Sequence, residues 1–233
     1  MSWRLGGWLT VLAMGTLTAV QAQGDDVRAY IKALKSPDVD VRRQAAVALE
    51  KLGPEAKSAV PALQAALRDS DQFVRRFAAR ALGAIGPAAA PAVNDLTLML
   101  RSEHREEAEA AVSALSKIGK PAVQPLAKFL QSSNDPRMVI QVAKALGGMG
   151  PDAAAAVPAL IEKLQNPPKV LAKAPTELSR PTILAAIVEA LGNIGPAARD
   201  AVPVIKNLMA DKMLAKNKEF RVVATTAIKK ISK

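Results

Sequence analysis

The segment VRRFAARALGAIG, residues 74–86, contains the pattern that decides the fold of this chain. Its apolar and small residues stand 12, 8, 5, 4 and 1 positions before the closing Gly86. At about 100° per residue these positions share one side of a helix. Gly86 then stops the helix by supplying a left-handed backbone conformation, and Pro87 follows directly. The segment therefore predicts an amphipathic helix that ends in a turn.

The same pattern recurs along the chain, and its copies are 31 to 45 residues apart. They close at Gly53, Gly86, Gly119, Gly150, Gly195 and, in a degenerate copy, Ser232. A second helix is predicted after most of these ends, with an apolar residue ten positions beyond the glycine, as at Leu63, Leu96, Leu160 and Ile205. No run of residues alternates between apolar and polar side chains with the two-residue period of a β-strand. Each repeat is thus predicted to be a helical hairpin that buries its apolar face only by stacking on its neighbours.

These residues resemble the HEAT-repeat family, in particular the short bacterial type related to the bilin-lyase repeats. The family unit matches a first helix like VPALQAAL at residues 60–67, a turn with Asp, and a second helix like residues 74–86. The resemblance implies an all-α fold: a right-handed α-α superhelix, or α-solenoid, of about six HEAT-like helical hairpins. It also implies that the second helices line the concave face.

The family carries a ladder formed by an Asp in each turn and an Arg in each second helix. Asp38 with Arg42, and Asp71 with Arg75, match it. The ladder is expected to be interrupted later, where the paired positions hold His104 and Ala108, Asp135 and Val139, and Arg180 and Leu184. Asp135 still suits the cap of the helix that starts at Pro136.

The composition fits a core of thin helical layers, because 50% of the residues are hydrophobic and only 3% are aromatic. One solenoid domain, residues 23–233, is the simplest description. It contains an insertion at residues 166–181, which holds four prolines and is predicted to be a loop. Insertions concentrate on the binding faces of repeat proteins, but loops also tolerate insertions that have no function, and we favour the second interpretation.

Residues 1–22 read as a secretory signal peptide, with a short basic start, an apolar stretch and Val20-Gln21-Ala22 before the cleavage point. An uncleaved anchor is the alternative, but a membrane span usually needs about 20 apolar residues. The chain has no cysteine, and a stacked helical core needs no disulfide in an oxidising compartment. We therefore expect a periplasmic or secreted protein that begins at Gln23.

The sequence offers little for catalysis. Its one histidine, His104, stands beside Glu103, Glu106 and Glu107. A metal site is one interpretation, but a solvated, charged helix start is more typical because acidic residues there complement the helix dipole. No Ser-His-Asp set and no glycine-rich phosphate loop is found. We predict no catalytic, cofactor-binding or metal-binding residue, and keep a lyase-like enzyme or accessory subunit as the alternative.

The chain is basic, with 32 Lys and Arg against 21 Asp and Glu. Several of the excess basic residues lie beyond Arg199, and a basic end can bind nucleic acid, anionic lipid or acidic protein, or can simply cap the solenoid. Nucleic acid is disfavoured because aromatic residues for base stacking are missing. Association with a membrane surface would be sensitive to salt and is not favoured. A protein partner with an acidic surface is preferred.

The expected partner-binding residues lie on the second helices and in the insertion. Arg43 and Arg76 stand ten positions before their closing glycines, and Arg80 follows Arg76 by one turn, so we predict one basic strip. Solvated charges that maintain solubility are the alternative. The full set of candidates is Arg43, Phe73, Arg76, Arg80, Lys144, Lys169 and Lys173.

Overall fold

A computed structural model describes residues 26–170 and 175–233, and within these two ranges every regular element is helical. The predicted signal segment, residues 1–22, lies outside the described residues. The α-helices are α1 (26–33), α2 (Val39–Leu52), α3 (Val60–Ala66), α4 (Gln72–Ile85), α5 (Val93–Met99), α6 (Arg105–Ile118), α7 (Val123–Ser132), α8 (Pro136–Gly148), α9 (Val157–Gln165), α10 (Arg180–Ile194), α11 (Val202–Met209) and α12 (Lys218–Ile231).

Odd-numbered helices are the short first helices of the hairpins, and even-numbered helices are the longer second helices. A 3₁₀ segment leads from most second helices into the next first helix, as at Gly53–Ala59 and Gly86–Ala92. After α6 this segment shrinks to Lys120–Ala122. The chain is an all-α solenoid of six such hairpins over the described ranges, wound as a right-handed α-α superhelix.

The closing glycines have the positive φ that the sequence predicts. At Gly86 φ is 74° and ψ is −139°, so the backbone enters the mirror image of the extended region rather than the left-handed helical region. A side chain would be strained there, which explains why glycine recurs. The N–H of Gly86 donates to the carbonyls of Gly83 and Leu82 and closes the helix.

A second set of glycines lets neighbouring second helices approach closely. A Cβ on Gly83 would lie 2.8 Å from the Cα of Ala114 on the next second helix, and a Cβ on Gly147 would lie 2.8 Å from the Cα of Ala190. Ser116 occupies the corresponding position on α6. Helix α6 packs less extensively on α8 than the other second helices pack on their successors.

The predicted apolar stripe forms the core in the regular repeats, and Leu82 is fully buried. The first repeat departs from the prediction, since Val41 is 37% exposed. Its counterpart in the second repeat, Val74, is fully buried. The positions on this side of a second helix face the preceding repeat, and no described repeat precedes α1 and α2.

The insertion is partly irregular where it is described. Residues 167–170 belong to no helix, and a 3₁₀ turn spans Thr176–Leu178. Helix α10 then begins at Arg180, so the last two residues of the predicted loop are helical, because a proline fits the first turn of a helix. The apolar stretch Arg180–Met209 is long enough to cross a membrane by length and composition alone, but most of it is buried in the solenoid and Gly195 divides it.

Candidate functional site

The Arg ladder is present in the first repeats, and each arginine binds an acid of the next repeat rather than the turn aspartate that matches the ladder position in its own repeat. Arg42 binds the carboxylate of Asp69 through Nε at 2.7 Å and Nη2 at 2.9 Å. Its Nη1 donates to the backbone carbonyls of Ser36 and Pro37. The acid therefore comes from the next repeat, and the carbonyls come from the turn of the same repeat.

The next arginine, Arg75, repeats this arrangement. It pairs with Glu107 at 2.5 Å and donates to the carbonyls of Asp69 and Ser70. Glu107 is almost fully buried and also accepts the hydroxyl of Ser102. The prediction of a solvated helix start is thus wrong for Glu107, although His104 is exposed. Over the described ranges, no three His, Asp or Glu side chains are grouped closely enough to hold a metal ion.

The turn aspartates have another role. Asp38 and Asp71 cap α2 and α4 by accepting backbone N–H groups, and Asp135 caps α8 as predicted. Asp71 also binds Arg43 of the preceding repeat at 2.6 Å. Asp71 and Arg75, which match the family's ladder positions, thus bind Arg43 and Glu107 of neighbouring repeats rather than each other.

Arg43, Phe73, Arg76, Phe77 and Arg80 form a continuous arginine–phenylalanine cluster on α2 and α4. The two rings lie 6.5 Å apart. The guanidinium carbon of Arg43 lies 4.9 Å from the centroid of Phe73, and that of Arg80 lies 5.9 Å from the centroid of Phe77. Arg76 stands between them, 5.8 Å from Phe73 and 5.3 Å from Phe77. Cationic and aromatic groups thus alternate along the surface.

The three arginines of this cluster differ in their ion pairs. Arg43 binds Asp71 at 2.6 Å and Asp40 at 3.1 Å, and Arg80 binds Glu50 at 2.7 Å. Arg76 forms no ion pair with any residue that the structure describes. Arg76 is therefore the one arginine of the cluster that has no carboxylate of a described residue within ion-pair distance.

The ion pair between Arg43 and Asp71 changes the pKa of the Asp71 carboxyl group. The hydrogen bond from the Arg43 guanidinium, helped by the backbone N–H of Val74, lowers the pKa of Asp71 to about 2. The carboxylate is consequently charged under all ordinary conditions, and it holds Arg43 against the ring of Phe73.

The cluster borders two open depressions. One, of about 710 Å³, is lined by residues that include Tyr30, Arg43 and Phe77. The other, of about 330 Å³, is lined by Arg76 and Arg80 and also by the carboxylates of Glu50, Glu106 and Glu109. Phe73 itself is 39% exposed, which is high for a ring of this size and leaves apolar surface available for contact.

The structure brings four of the predicted site residues together and leaves the others apart. Lys144 is exposed on α8, beyond α6, and Lys169 is exposed at the start of the insertion. Lys173 lies outside the described residues. Phe77 is not among the predicted residues, although its position one helical turn after Phe73 places it on the same side of α4.

A buried lysine that is not among the predicted residues continues the ladder. Lys163 on α9 is almost fully buried, and its Nζ donates to the backbone carbonyls of Gln131 and Ser133, each at 3.0 Å. Val139 stands on α8 where Arg42 and Arg75 stand on their helices. The cation that binds this turn therefore comes from the following repeat.

The outer side of α12 differs from the sides of the inner second helices. Arg221, Thr225 and Lys229 are exposed there. The corresponding residues of α10 include Leu184 and Val188, which are fully buried. Polar residues thus cover the last described repeat where an inner repeat would bury apolar ones.

Comparison with known proteins places this architecture in a family. The HEAT-repeat family model matches residues 27–98 and 93–179. No curated protein is significantly similar in sequence. An engineered protein from a structural genomics consortium is 24% identical with a TM-score of 0.57, and the alignment covers 89% of this chain and 96% of that one.

Two further solved structures are similar. A designed armadillo repeat protein in complex with the peptide (KR)4 is 17% identical with a TM-score of 0.57, and the alignment covers 87% of this chain and 98% of that one. A chain of the CpcE and CpcF complex of phycocyanin lyase from Nostoc sp. PCC7120 is 26% identical with a TM-score of 0.53, and the alignment covers 89% of this chain and 77% of that one. The repeats, the stacked second helices and the family match lead to one conclusion: the chain belongs to the HEAT-repeat family.

Proposed function

We propose that this chain is an exported, non-catalytic HEAT-repeat scaffold that binds a protein partner with an acidic surface through the arginine–phenylalanine cluster. The observation that carries the proposal is the position of Arg76. Its guanidinium is held beside two phenyl rings and has no carboxylate partner among the described residues.

This arrangement suits the recognition of a carboxylate. The rings of Phe73 and Phe77 support the guanidinium of Arg76 and reduce the side-chain entropy that binding would cost. A guanidinium can donate two parallel hydrogen bonds to one carboxylate. The exposed surface of Phe73 adds apolar contact beside that charge. Aromatic residues and arginine are the types that dominate binding energy at protein interfaces.

Relatives of this fold support an interaction role. The designed armadillo repeat protein is in complex with a peptide, and CpcE is in complex with CpcF. The basic charge of the present chain, +11 at pH 7, would attract an acidic partner at long range.

A second candidate function is that of an accessory subunit or a lyase-like enzyme, and the similarity to the phycocyanin lyase complex favours it. The two functions differ in what the purified protein carries. The scaffold proposal expects a colourless protein, whereas pigment bound in a one-to-one ratio, seen in the visible absorption spectrum, would favour the lyase-like function.

Export is part of the proposal and rests on residues 1–22. We expect the mature protein to begin at Gln23, because Val20 and Ala22 suit the positions before a cleavage site. The intact mass of the protein recovered from the cell envelope tests this. A mass that includes Met1 would indicate a retained anchor instead.

Photocrosslinking tests which surface meets the partner. A photoreactive phenylalanine derivative is placed at Phe73 in one variant and at Leu98 in the control. Leu98 is 68% exposed, but it lies on the first helix α5. We expect one acidic protein to be captured from position 73 in native cells, and its capture to fall when Arg76→Gln is added. Equal capture from position 98 would contradict the proposal.

A further inference from the structure

Four turns between first and second helices share one conformation. In each, the side chain 17 positions before the closing glycine accepts the backbone N–H of the residue two positions later. The pairs are Ser36 with Asp38, Asp69 with Asp71, Ser102 with His104 and Ser133 with Asp135. The second residue of every pair is extended, with φ between −78° and −88° and ψ between 108° and 126°. The backbone carbonyls of the four turns are therefore placed alike.

Three of these turns bind a cation from the chain itself. Arg42 donates to the carbonyls of the first turn, Arg75 to those of the second, and Lys163 to that of Ser133 in the fourth. Each group compensates carbonyls that the neighbouring helix leaves without a donor. A guanidinium or ammonium is thus the partner that this turn conformation takes in this protein.

The third turn lacks such a partner. Ala108 stands on α6 where Arg42 and Arg75 stand on their helices. No donor from the described part of the chain reaches the carbonyl of Ser102 or Glu103. The short side chain of Ala108 therefore leaves both the space and the acceptors that an arginine occupies in the first two turns.

A groove of about 430 Å³ opens at this point, between the N-terminal ends of α6 and α8. Ser102, Glu103 and Ala108 line it, and Phe129 forms part of its wall. The groove lies where α6 packs less extensively on α8. It is large enough for the end of a long side chain to enter from solvent.

The charged side chains that line the groove do not occupy the carbonyl oxygens of Ser102 and Glu103. Three basic and three acidic residues line it: Arg101, Arg105, Arg137, Glu103, Glu109 and Asp135. Arg105 is held by Glu109 at 2.7 Å. Arg101 lies 5.6 Å from the centroid of Phe129 and donates to Ser132. Neither is bound to the Ser102 or Glu103 carbonyl.

We infer that this groove binds an arginine side chain of a partner protein, whose guanidinium takes the place that Arg42 and Arg75 fill in the first two turns. Arginine fits better than lysine, because Arg42 and Arg75 each donate from one Nη1 to two successive carbonyls. The inference does not depend on the arginine–phenylalanine cluster. It gives the chain a second recognition site with the opposite charge preference.

A titration followed by NMR tests the inference. The probe is N-acetyl-L-argininamide, and the matched control is N-acetyl-L-citrullinamide, which has nearly the same shape without the charge. We expect saturable shifts of the backbone amides of Ser102, Glu103 and His104 with the arginine derivative, and binding at least about tenfold weaker with the citrulline derivative. Equal binding of the two, or no saturable shift, overturns the inference.

Two variants sharpen the test. Ala108→Arg supplies the guanidinium from the chain itself, so we expect the shifts to disappear while the melting temperature is kept or raised. Ser113→Arg adds the same charge on α6 at an exposed position away from the turn and should leave binding unchanged. Undiminished binding to folded Ala108→Arg overturns the inference. If Ala108→Arg does not fold, the arginine and citrulline comparison in the unmodified protein still decides it.

Discussion

The Nζ of Lys163 lies 3.0 Å from the backbone carbonyl oxygen of Ser133, on the preceding hairpin. Arg42 and Arg75 reach the matching carbonyls from their own hairpins. The fourth turn thus receives its cation from the following hairpin rather than from its own. Lys163 is almost fully buried, and burial lowers its pKa. Its stabilising role therefore comes from its hydrogen bonds to carbonyls that would otherwise be left without a donor.

Replacing Lys163 with methionine keeps most of the side-chain volume and removes the donor. We expect Lys163→Met to lower the free energy of unfolding by about 1–3 kcal/mol, because the carbonyls of Gln131 and Ser133 lose their partner. The control is Lys128→Met, at an exposed position on α7, which should change stability by less than about 0.5 kcal/mol. Urea denaturation measures both. Equal effects would mean that these hydrogen bonds contribute nothing.

Two adjacent glycines on α8 offer a test of how the second helices stack. A Cβ on Gly147 would meet the Cα of Ala190 at 2.8 Å, whereas a Cβ on Gly148 would meet no atom within 4 Å. We expect Gly147→Ala to destabilise the protein by about 1–3 kcal/mol through overpacking. Gly148→Ala should be neutral or stabilising by up to about 1 kcal/mol, because alanine favours the helix. Thermal and urea denaturation compare the stabilities of the two variants. A Gly148→Ala variant less stable than Gly147→Ala would contradict the close approach of α8 to α10.

The ion pair between Arg43 and Asp71 predicts a dependence of stability on pH. The pKa of Asp71 is about 2 in the folded chain, below the ordinary value of about 3.9. The folded state therefore favours the carboxylate. Its contribution, about 1–2 kcal/mol, is complete above pH of about 4 and is lost as the pH falls towards about 2.

Arg43→Gln removes the largest cause of this shift. We expect the pKa of Asp71, followed by NMR of its carboxyl carbon, to rise towards the ordinary value, and the loss of stability between about pH 4 and pH 2 to become smaller. Arg76→Gln is the control, since Arg76 makes no ion pair with a described residue. A pKa of Asp71 that is unchanged in Arg43→Gln would show that the pair does not form in solution.

The sequence predicted the architecture well because the signals for it are local. The spacing of apolar residues before Gly86 defines a helix, its side and its end within one repeat, and Leu82 is buried as that spacing requires. Contacts between side chains of different repeats were harder to predict. Arg43 meets Asp71 across 28 positions, and Lys163 replaces an arginine missing from another helix. Such pairs depend on how repeats stack, which the period alone does not specify.

In the candidate site, too, the positions of residues could be predicted from the repeat pattern, but the contacts between repeats could not. Shared positions in successive repeats brought Arg43 and Arg76 to one surface, as the period predicts. The pattern did not reveal that Arg43 and Arg80 form ion pairs with Asp71 and Glu50 while Arg76 forms none with a described residue. That distinction depends on side-chain geometry between helices, and it changes which arginine is expected to matter most.

The affinity for the crosslinked partner, measured as a function of salt concentration, tests the central claim most directly. We predict that Arg76→Gln raises Kd by at least about tenfold and flattens its dependence on salt, because the free guanidinium of the cluster is lost. Lys128→Gln, which removes an equal charge from the first helix α7, should leave Kd within about twofold. If folded Arg76→Gln binds the partner as tightly as the unmodified chain, with the same dependence on salt, the cluster is not the binding site and the account is wrong.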